Sequence, residues 1–521
     1  MPDADLILYN AKVYTLNRKK PEAQAIGVKG NKIVKVGSNV EVLKLKTFKT
    51  NAIDLKGKTV LPGFVDCHIH MRSYAKTLEQ IELRDVVSIK QLQRRLRKVA
   101  TARPSSTWIT ARGFDEEKFK EKRLPTRFDL DKAVLNNPVL LTRVCGHLSV
   151  ANSKALELAD ITKDTALAEG GIIQKNPKTG DPTGILLENA QNLVAEVIPK
   201  PDKKELLRIY EKACQKAAEK GLTSAHCIIY DPKDVSVVRE LRRQNKLKLR
   251  IHLIIPVEYL DELDELASME NRKTRMGSIK VYADGSLGAH TAALHKPYAD
   301  DKTTKGIHIY PQKKLEKLLL KVHENGFQLA IHAIGDEAVE SVLDALEKAL
   351  RQKPKEDHRH RIEHASVLSK RLIRRMKKLG VIASVQPHFV ASDFWTAKRL
   401  GKRRARWTYS FKSLIKSGIV TCGGSDCPIE PIDPLLGIWA AVARKIFPQE
   451  RLTVDEAIRL YTINAAFVSR EENVKGSIER GKFADLTVLS QDPYKIEADN
   501  IRSIRVDMTI VDGEIVYVRT T

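Results

Sequence analysis

Short apolar stretches in which hydrophobic and polar residues alternate occur at both ends of the chain. Near the N-terminus they are ADLILYNAKVYTL, QAIGVKGNKIVKVGS and NAIDLKGKTVLPG, and after residue 475 they are KFADLTVLS, DMTIVDG and EIVYVR. Alternation with a period of two, interrupted at Gly or Asn, is typical of strands joined by turns. We predict that residues 1–58 and 475–521 together form one small β-sandwich domain.

The middle of the chain, residues 59–474, alternates strand-like and helix-like patterns. Most of its candidate strands are followed by a helical pattern such as EAVESVLDALEKAL. The candidate strands are KTVLPGFVD, GLTSAHCII, LKLRIHLIIP, GSIKVYAD, GFQLAIHA, HRIEHA, GVIASVQP and SGIVTCGGSD. Eight β-to-α repeats predict an α/β fold with a closed (β/α)8 barrel, although the periodicity alone is also compatible with an open doubly wound sheet.

A long segment, at about residues 71–201, separates the first candidate strand from the second. It contains its own strand patterns, STWITARGF and NPVLLTRV, and an amphipathic helical pattern, IKQLQRRLRKVA. A structureless connection of this length would be unusual in a compact domain. We therefore predict a lid-like insertion at one end of the barrel.

Composition indicates a globular protein, since 42% of the residues are hydrophobic and 30% are charged. No apolar run reaches the roughly 18 to 20 residues of a membrane span. The N-terminal MPDADLILYNAKVYTL has acidic residues where a signal peptide would have basic ones. The cysteines are scattered without a C-x-x-C pair, which disfavours a disulfide framework or a thiolate zinc site. We expect a cytoplasmic protein that does not bind membranes.

The net charge of +25, from 90 basic and 65 acidic residues, raises nucleic-acid binding as an alternative. The densest basic runs, KRLIRRMKKLG and LGKRRARW, alternate with apolar residues as solvated helix faces do, and no recognised nucleic-acid motif accompanies them. Attraction of anionic substrates, or solubility, explains the charge equally well. We expect a small-molecule substrate and no nucleic acid; a homo-oligomer is compatible with such a barrel.

The most informative local motif is the His-x-His pair in GFVDCHIHM, at the end of the first barrel strand. A period of two places His68 and His70 on one side of the strand, where both imidazoles can bind one metal ion. Alone, the pair is a weak signal, because two histidines that are satisfied by ordinary hydrogen bonds would look the same.

Further titratable residues follow the same rule of position: each lies near the carboxyl end of a predicted barrel strand. They are Lys280 in the fourth, His332 in the fifth, His364 in the sixth and Asp426 in the eighth. These strand ends converge on the barrel face where active sites of this architecture are built. Imidazole and carboxylate ligands suit Zn²⁺ best, and Fe²⁺, Mn²⁺ or Ni²⁺ as alternatives.

Longer motifs extend over essentially the whole chain and give it a resemblance. They are LPGFVDCHIH, RGFDEEKF, CGHLSVANSKAL, GGIIQKNPKTGDPTGILLE, KVYADGSLGAHTAAL, IHAIGDEAV, RIEHASVL, SVQPHF, GGSDCPIEPIDPLLGI, LTVDEAIRLYTINAA and GSIERGKFADLTVL. On these motifs the chain resembles the amidohydrolase superfamily, in the branch of N-substituted formamide deformylases and related metal-dependent hydrolases. The resemblance implies a TIM-type barrel and hydrolysis of carbon–nitrogen bonds other than peptide bonds.

The resemblance also implies roles for the converging residues. His68, His70 and Asp426 would hold the more buried metal, and His332 and His364 a second one. In related enzymes a lysine at the position of Lys280 is carboxylated to a carbamate that bridges two metals. A free ammonium beside two dications would be repelled, so Lys280 must be carbamylated, neutral or turned away. A site with one metal, in which Lys280 contacts substrate or structure, remains an alternative.

The expected mechanism is hydrolysis of an amide, formamide or similar C–N bond by a metal-activated hydroxide. Asp426 would take the proton of the attacking water and pass it to the leaving nitrogen. Two other functions use the same kind of scaffold. One is deamination of a heterocyclic amine with a single metal, and the other is binding by a catalytically silent protein.

Several other polar or aromatic residues are candidates for substrate contacts, and each has a structural alternative. His147 lies in the insertion, and His226 ends the second strand as a pocket residue rather than a ligand. Asp284 follows the lysine strand, where it would orient the lysine, line the pocket or form a turn. His388 and Trp395 follow the seventh strand, where pocket walls are expected.

Overall fold

The computed structural model describes residues 3–143, 146, 148–166, 171–262, 271 and 273–520. The chain divides into two compact units: Met1–Tyr74 with Tyr210–Thr521, and Ala75–Ile209. The first unit contains the barrel and both chain ends, and the second is most of the insertion. None of the helices in the described ranges is both long enough and apolar enough to cross a membrane.

The barrel predicted from the periodicity is confirmed. In the described residues its sheet has eight strands, all paired in parallel and in chain order. Barrel strands 1 to 8 are Phe64–Ile69, Leu222–Ile228, Arg250–Pro256, Thr274–Tyr282, Gln328–Ala333, Arg361–His364, Ile382–Val385 and Thr421–Gly423.

Hydrogen bonds between the segments that follow strands 8 and 1 close the barrel. The backbone N–H of Asp426 donates to the carbonyl of His68 at 2.8 Å, and that of His70 donates to the carbonyl of Cys427 at 3.0 Å. An open doubly wound sheet would leave these two edges apart. Closure therefore places the His-x-His pair and Asp426 side by side.

The first predicted strand, KTVLPGFVD, is in fact two strands. Thr59–Pro62 pairs with Leu486–Leu489 in the terminal domain, and Phe64–Ile69 is barrel strand 1. Gly63 separates them, and a Cβ atom at this position would lie 2.2 Å from the side chain of Thr223 in strand 2. Only glycine permits this close approach of the two strands.

The α-helices of the first unit mostly cover the barrel, and their apolar stripes face it. In Asp336–Gln352, for example, Val339, Val342 and Leu346 are buried, and the helix begins with acidic residues that favour its N-terminus. The others are Asn39–Leu43, Pro232–Arg243, Gln312–Glu324, Lys370–Lys378, Phe389–Ser392, Thr396–Leu400, Lys402–Ala405, Phe411–Lys416, Pro434–Ala443, Val454–Leu460 and Ile463–Val468, while Met71–Thr77 and Lys203–Ala218 lie at the junctions with the insertion.

Two sheets, one from the N-terminal end and one from both ends of the chain, pack against each other. Their shared core contains Leu8 and Ile26 from one sheet and Val60, Val488 and Ile510 from the other. In the described residues one sheet consists of Leu6–Tyr9, Ala25–Lys29, Lys32–Gly37 and Asn51–Asp54, and the other of Lys12–Tyr14, Glu22–Ala23, Thr59–Pro62, Leu486–Leu489, Val506–Val511 and Glu514–Val518.

The second unit has its own mixed sheet and its own core. Leu92 and Leu96 of the helix Ile89–Ala100 pack against Ile109 and Leu141 of the sheet. Its described strands are Ile81–Glu82, Ile109–Phe114, Val139–Arg143, Leu148–Ala151, Gly171–Lys175 and Pro182–Glu188, and its further helices are Arg127–Asp131, Ser153–Leu158 and Ala190–Ala195. The insertion is thus a structured unit and not an extended connection.

Candidate metal centre

A cavity of about 480 Å³ opens at the carboxyl end of the barrel strands. It is lined by all of the residues that the sequence proposes as metal ligands, namely His68, His70, Lys280, His332, His364 and Asp426. These residues were chosen in the sequence because each stands near the end of a strand. The fold brings those strand ends, and with them the residues, to one cavity.

His68, His70 and Asp426 form the tightest group of donor atoms. The Nε2 atom of His70 lies 2.9 Å from Oδ1 of Asp426, and Nε2 of His68 lies 3.4 Å from the same oxygen. One ligand atom from each residue lies within 4.8 Å of the other two. Burial opposes ionisation, but the hydrogen bonds and charge of His68 and His70 hold the pKa of Asp426 well below its usual value. The carboxylate is therefore available as an anionic ligand.

The other nitrogen of His68 is held by a buried ion pair. Its Nδ1 atom hydrogen bonds to the carboxylate of Glu363, whose second oxygen lies 2.7 Å from Nε of Arg361. Burial alone would raise the pKa of Glu363, but the charges of Arg361 and His68 lower it, so the carboxylate accepts the Nδ1 proton. With Nδ1 held in this way, Nε2 of His68 faces other candidate ligands, with Oδ1 of Asp426 at 3.4 Å and Nζ of Lys280 at 3.5 Å. Although burial opposes it, the carboxylates of Glu363 and Asp426 raise the pKa of His68, so a metal ion at Nε2 would displace a proton there.

His332 and His364 are fixed in the same manner. His332 donates from Nε2 to the carbonyl of Gly285 at 3.0 Å, and His364 donates from Nδ1 to Oε1 of Gln386 at 2.7 Å. Their ring centroids are 4.5 Å apart. Burial lowers the pKa of His332 to about 3 and that of His364 well below its usual value, so both rings are neutral at physiological pH. Each ring therefore keeps one nitrogen lone pair for a ligand in the cavity.

Lys280 is almost completely buried, with 1% of its surface exposed. Its Nζ lies 3.5 Å from Nε2 of His68 and 4.8 Å from the centre of the Tyr282 ring. Burial lowers the pKa of Lys280 to about 8. A lysine in these surroundings is neutral far more often than one in water.

Two of the candidate ligands have strained backbones. His364 and Asp426 have φ angles of 72° and 57°, in the left-handed region that residues other than glycine and asparagine rarely adopt. Asp66 stabilises the second of these segments, because its Oδ1 accepts hydrogen bonds from the backbone of His68 and of Ser425, both at 3.0 Å. Such strain persists where the surrounding structure enforces it, and here it directs side chains into the cavity.

The remaining cavity lining is largely aromatic. Tyr230 follows strand 2, and Tyr282 is the last residue of strand 4. The hydroxyl of Tyr230 hydrogen bonds to Nδ1 of His70. Phe389, Trp395 and Tyr409 line the cavity from the segment after strand 7 and from the loop before the helix Phe411–Lys416. These walls suit a substrate with an apolar substituent.

The residues suggested as substrate contacts are placed differently. Trp395 lines the cavity. Asp284 is buried, and its oxygens accept backbone hydrogen bonds from Ala293, Ile334 and Gly335 at 2.8 to 3.0 Å, so it fixes the segment that follows His332. His147 lies outside the described residues.

His226 and His388 also have partners away from the cavity. His226 lies inside the barrel, where its Nδ1 is 3.0 Å from Nη1 of Arg361. His388 hydrogen bonds to the carboxylate of Glu430. Neither is among the residues that line the cavity in the described part of the chain.

The sequence analysis missed Arg361, Glu363, Gln386, Tyr230 and Tyr282. A signal for some of them was present. Tyr282 stands two residues after Lys280, and Glu363 two residues after Arg361, so alternation places each pair on one side of its strand. Gln386 and Tyr230 follow their strands without such a pattern, and only the tertiary structure identifies their partners.

The known proteins that are similar to this chain include named hydrolases. The family model described as "Amidohydrolase family" matches residues 51–517. The Bacillus subtilis (strain 168) protein YtcJ, which is named as an amidohydrolase, is 36% identical over 98% of this chain and 99% of its own length. The N-substituted formamide deformylase of Arthrobacter pascens is 29% identical over 99% of each chain.

A solved structure has the same architecture. It is an uncharacterized metal-dependent hydrolase from Pyrococcus furiosus, with a TM-score of 0.80 and 33% sequence identity. The match covers 94% of this chain and 100% of that one.

Proposed function

This chain belongs to the amidohydrolase family, and from that premise we propose that it hydrolyses the amide or formamide bond of a small molecule with one or two Zn²⁺-like ions at the mouth of the barrel. It is a metal-dependent hydrolase of carbon–nitrogen bonds. The formamide class is favoured by the similarity to a formamide deformylase over the full length of both chains.

One observation supports this proposal most strongly. His68, His332 and His364 each use one ring nitrogen for a hydrogen bond to a fixed acceptor, and all three residues line one cavity. His70 and Asp426 complete the donor set. Neutral imidazoles and a carboxylate are the ligands that Zn²⁺ and similar divalent ions prefer.

The residues of the site fit two ions in the following way. His68, His70 and Asp426 would hold one, and His332 and His364 the other, with a carbamate on Lys280 between them. When bound, such an ion lowers the pKa of water toward neutrality and polarises the scissile carbonyl. Lys280 is buried beside His68, and conversion to a carbamate would replace its positive charge by a negative one that dications attract.

The residues of the chain perform the proton transfers and the positioning. Asp426 accepts the proton of the attacking water and returns it to the leaving nitrogen, which would otherwise depart as a poor anionic leaving group. Tyr230 and Tyr282 line the same space, and a substrate bound against the aromatic walls would displace water from it. Exclusion of water strengthens each electrostatic interaction there.

A mononuclear centre is the second candidate. In the described residues, the group of three ligand atoms within 4.8 Å consists of His68, His70 and Asp426, and His332 and His364 lie outside it. A single ion would suit a deaminase of a heterocyclic amine, with Lys280 as a contact to substrate or to structure.

The first experiment is elemental analysis of protein purified without chelators, together with kinetics on N-substituted formamides. We expect two metal ions per chain in the wild type and a clear loss of metal in the variant Lys280→Met. The matched control, Lys348→Met, removes an exposed lysine that pairs with Glu316 and should keep both ions.

One ion per chain, unchanged by Lys280→Met, would favour the mononuclear centre. No bound metal, with no activity after addition of Zn²⁺, would contradict the proposal. Intact mass under native conditions adds a direct search for one bound CO₂ on Lys280.

A further inference from the structure

The wall of the cavity contains a carboxylate that no cation in the described part of the chain neutralises. Asp393 lines the cavity between the helices Phe389–Ser392 and Thr396–Leu400. Its Oδ2 accepts a hydrogen bond from the hydroxyl of Tyr409. Within the described residues it forms no ion pair with any Lys, Arg or His, and no cation affects its ionisation.

The surroundings of Asp393 make an unpaired negative charge on its carboxylate energetically unfavourable. Burial, together with the charge of nearby Glu430, raises the pKa of Asp393 to about 6, although the hydrogen bond from Tyr409 lowers it. Glu430 itself pairs with His388 in the described part of the chain. A partly buried carboxylate beside a second carboxylate is unfavourable unless something supplies the missing positive charge.

Hydrogen bonds hold the backbone of Asp393 in place, so the residue cannot move out into solvent. Its backbone N–H donates to the carbonyl of Phe389 at 2.8 Å, and its own carbonyl accepts from the backbone and the hydroxyl of Thr396 at 3.1 and 2.8 Å. Together with the Tyr409 hydrogen bond, these contacts fix the backbone and one carboxylate oxygen. The other oxygen remains available to a ligand in the cavity.

Aromatic rings connect this carboxylate with the metal centre. The Phe389 ring centroid lies 6.5 Å from that of His364 and 6.4 Å from that of Tyr409, and Tyr409 in turn contacts Asp393. Trp395 lines the same wall. A substrate whose carbonyl lies at the metal centre would therefore extend an apolar substituent along Phe389 toward Asp393.

We propose that Asp393 is a specificity-determining residue that binds an ammonium group at the far end of an apolar substituent of the substrate. This proposal rests on the hydrolytic function proposed above and names its substrate class: small N-substituted formamides or amides that carry a cationic amine. Carboxylate and aromatic faces are the two partners that an ammonium finds in proteins, and both are present on this wall. A neutral alkyl end would leave the Asp393 carboxylate desolvated without compensation.

The test compares two substrates of equal length, an N-alkylformamide and its analogue in which the terminal methyl is replaced by an ammonium group. We expect the metal-loaded wild type to prefer the cationic substrate roughly ten- to a hundredfold in kcat/KM, as a charged hydrogen bond would give. Asp393→Asn keeps the acceptor for Tyr409 but removes the charge, and should abolish the preference while turnover of the neutral substrate is retained.

A matched control removes the same charge elsewhere: Asp344→Asn lies on the helix Asp336–Gln352, where Asp344 pairs with Arg375, and should keep the preference. Equal kcat/KM for both substrates in the wild type would overturn the proposal. An equal loss for both substrates in Asp393→Asn would also overturn it, since a purely structural role predicts that result.

A binding measurement separates this inference from the hydrolytic function. If neither formamide is cleaved, the hydrolytic proposal fails in that form, and calorimetric titration with an alkylammonium salt still tests Asp393. Binding by the wild type that is lost in Asp393→Asn supports the ammonium site, and equal binding or none in both overturns it.

Discussion

Two groups of three buried histidines lie at opposite ends of the barrel strands. The upper cluster, His68, His332 and His364, is at the carboxyl ends and lines the cavity. The lower cluster, His323, His358 and His360, lies before strands 5 and 6 begin and does not line that cavity in the described residues. The two clusters consist of the same residue type and have similar burial. The difference in their hydrogen bonds therefore shows what distinguishes a metal centre from a structural cluster.

In the lower cluster every ring nitrogen is used within the protein. Nδ1 of His360 accepts from the backbone of Leu329 at 3.1 Å, so its Nε2 donates to Nδ1 of His323 at 2.8 Å, and Nε2 of His323 donates to the carbonyl of Lys353 at 2.7 Å. One consistent set of neutral tautomers satisfies this chain.

His358 completes the lower cluster in the same way. Its Nδ1 accepts from the backbone of His360, and its Nε2 donates to the carbonyl of Leu379, both at 2.8 Å. In the upper cluster, by contrast, each histidine has one nitrogen fixed by an acceptor outside the candidate ligand set. The other nitrogen of His68 lies 3.4 Å from Asp426 and 3.5 Å from Lys280, which are themselves candidate ligands. Three histidines are therefore not a metal site in themselves; unused lone pairs that face a common cavity are the requirement.

The largest expected effect comes from the upper end of the barrel. Asp426→Asn removes the proposed proton acceptor and an anionic metal ligand. We expect kcat on a formamide substrate to fall by about 10²- to 10⁴-fold, the range typical of general base catalysis. Steady-state kinetics with saturating Zn²⁺ measure this. Activity within a factor of a few of wild type would exclude Asp426 from proton transfer.

The next largest effect concerns stability. His360→Ala leaves the backbone N–H of Leu329 and Nδ1 of His323 without their partner. We expect the free energy of unfolding to decrease by about 2–4 kcal/mol, while the metal content per chain stays as in wild type. Urea denaturation and elemental analysis give the two values. Loss of metal with unchanged stability would reverse the roles assigned to the two clusters.

A smaller effect tests the fixed tautomer in the upper cluster. Gln386→Leu removes the acceptor of the His364 Nδ1 proton without leaving a charge unpaired. We expect metal affinity to fall about 10- to 100-fold, as for other partners of metal-binding histidines. Competition with a chromophoric chelator measures affinity, and the melting temperature of the metal-free protein serves as the control. An affinity equal to that of wild type would show that the acceptor has no role in orienting His364.

The smallest effect is a pH dependence of stability. Burial lowers the pKa of His358 and of His360 below the ordinary value of about 6.5. Below pH of about 6.5 the unfolded chain binds protons at these histidines that the folded chain does not, because their folded-state pKa values are depressed. Their contribution to the free energy of unfolding is therefore complete above this pH and decreases as the pH falls below it. The free energy of unfolding should decline between pH 6.5 and 5.

The variant His358→Gln tests whether His358 contributes to this decline in the free energy of unfolding. A glutamine amide can still donate to Leu379, so folding is retained, but one titrating group is removed. We expect its stability to fall less steeply with decreasing pH than that of wild type, by up to about 1.4 kcal/mol per pH unit. Identical slopes would mean that other buried histidines account for the effect.

The sequence indicates at which end of the barrel strands each histidine cluster lies. It indicates only some of the residues that make up the site at the carboxyl ends. The position of His68, His332 and His364 at the carboxyl ends of strands distinguishes them from His358 and His360, which precede a strand, because parallel strands direct the two ends to opposite faces of a barrel. The candidate site was therefore accessible from periodicity and the resemblance. Trp395 was correctly expected near the pocket wall, whereas Asp393 two residues earlier gave no signal.

The sequence by itself indicated eight strands that alternate with helices and the strand ends at which six titratable residues stand, because hydrophobic periods of two and of 3.6 residues specify strands, helices and their order. The periodicity alone was also compatible with an open sheet, so the tertiary structure decided that the sheet closes into a barrel. Only the tertiary structure decided which nitrogen of each histidine is free, since Glu363, Gly285 and Gln386 lie far from their partners in sequence. It also decided that Asp393 lines the cavity and, among the described residues, forms no ion pair with a cation. Burial and pairing are properties of side chains brought together in space, and neither follows from local patterns.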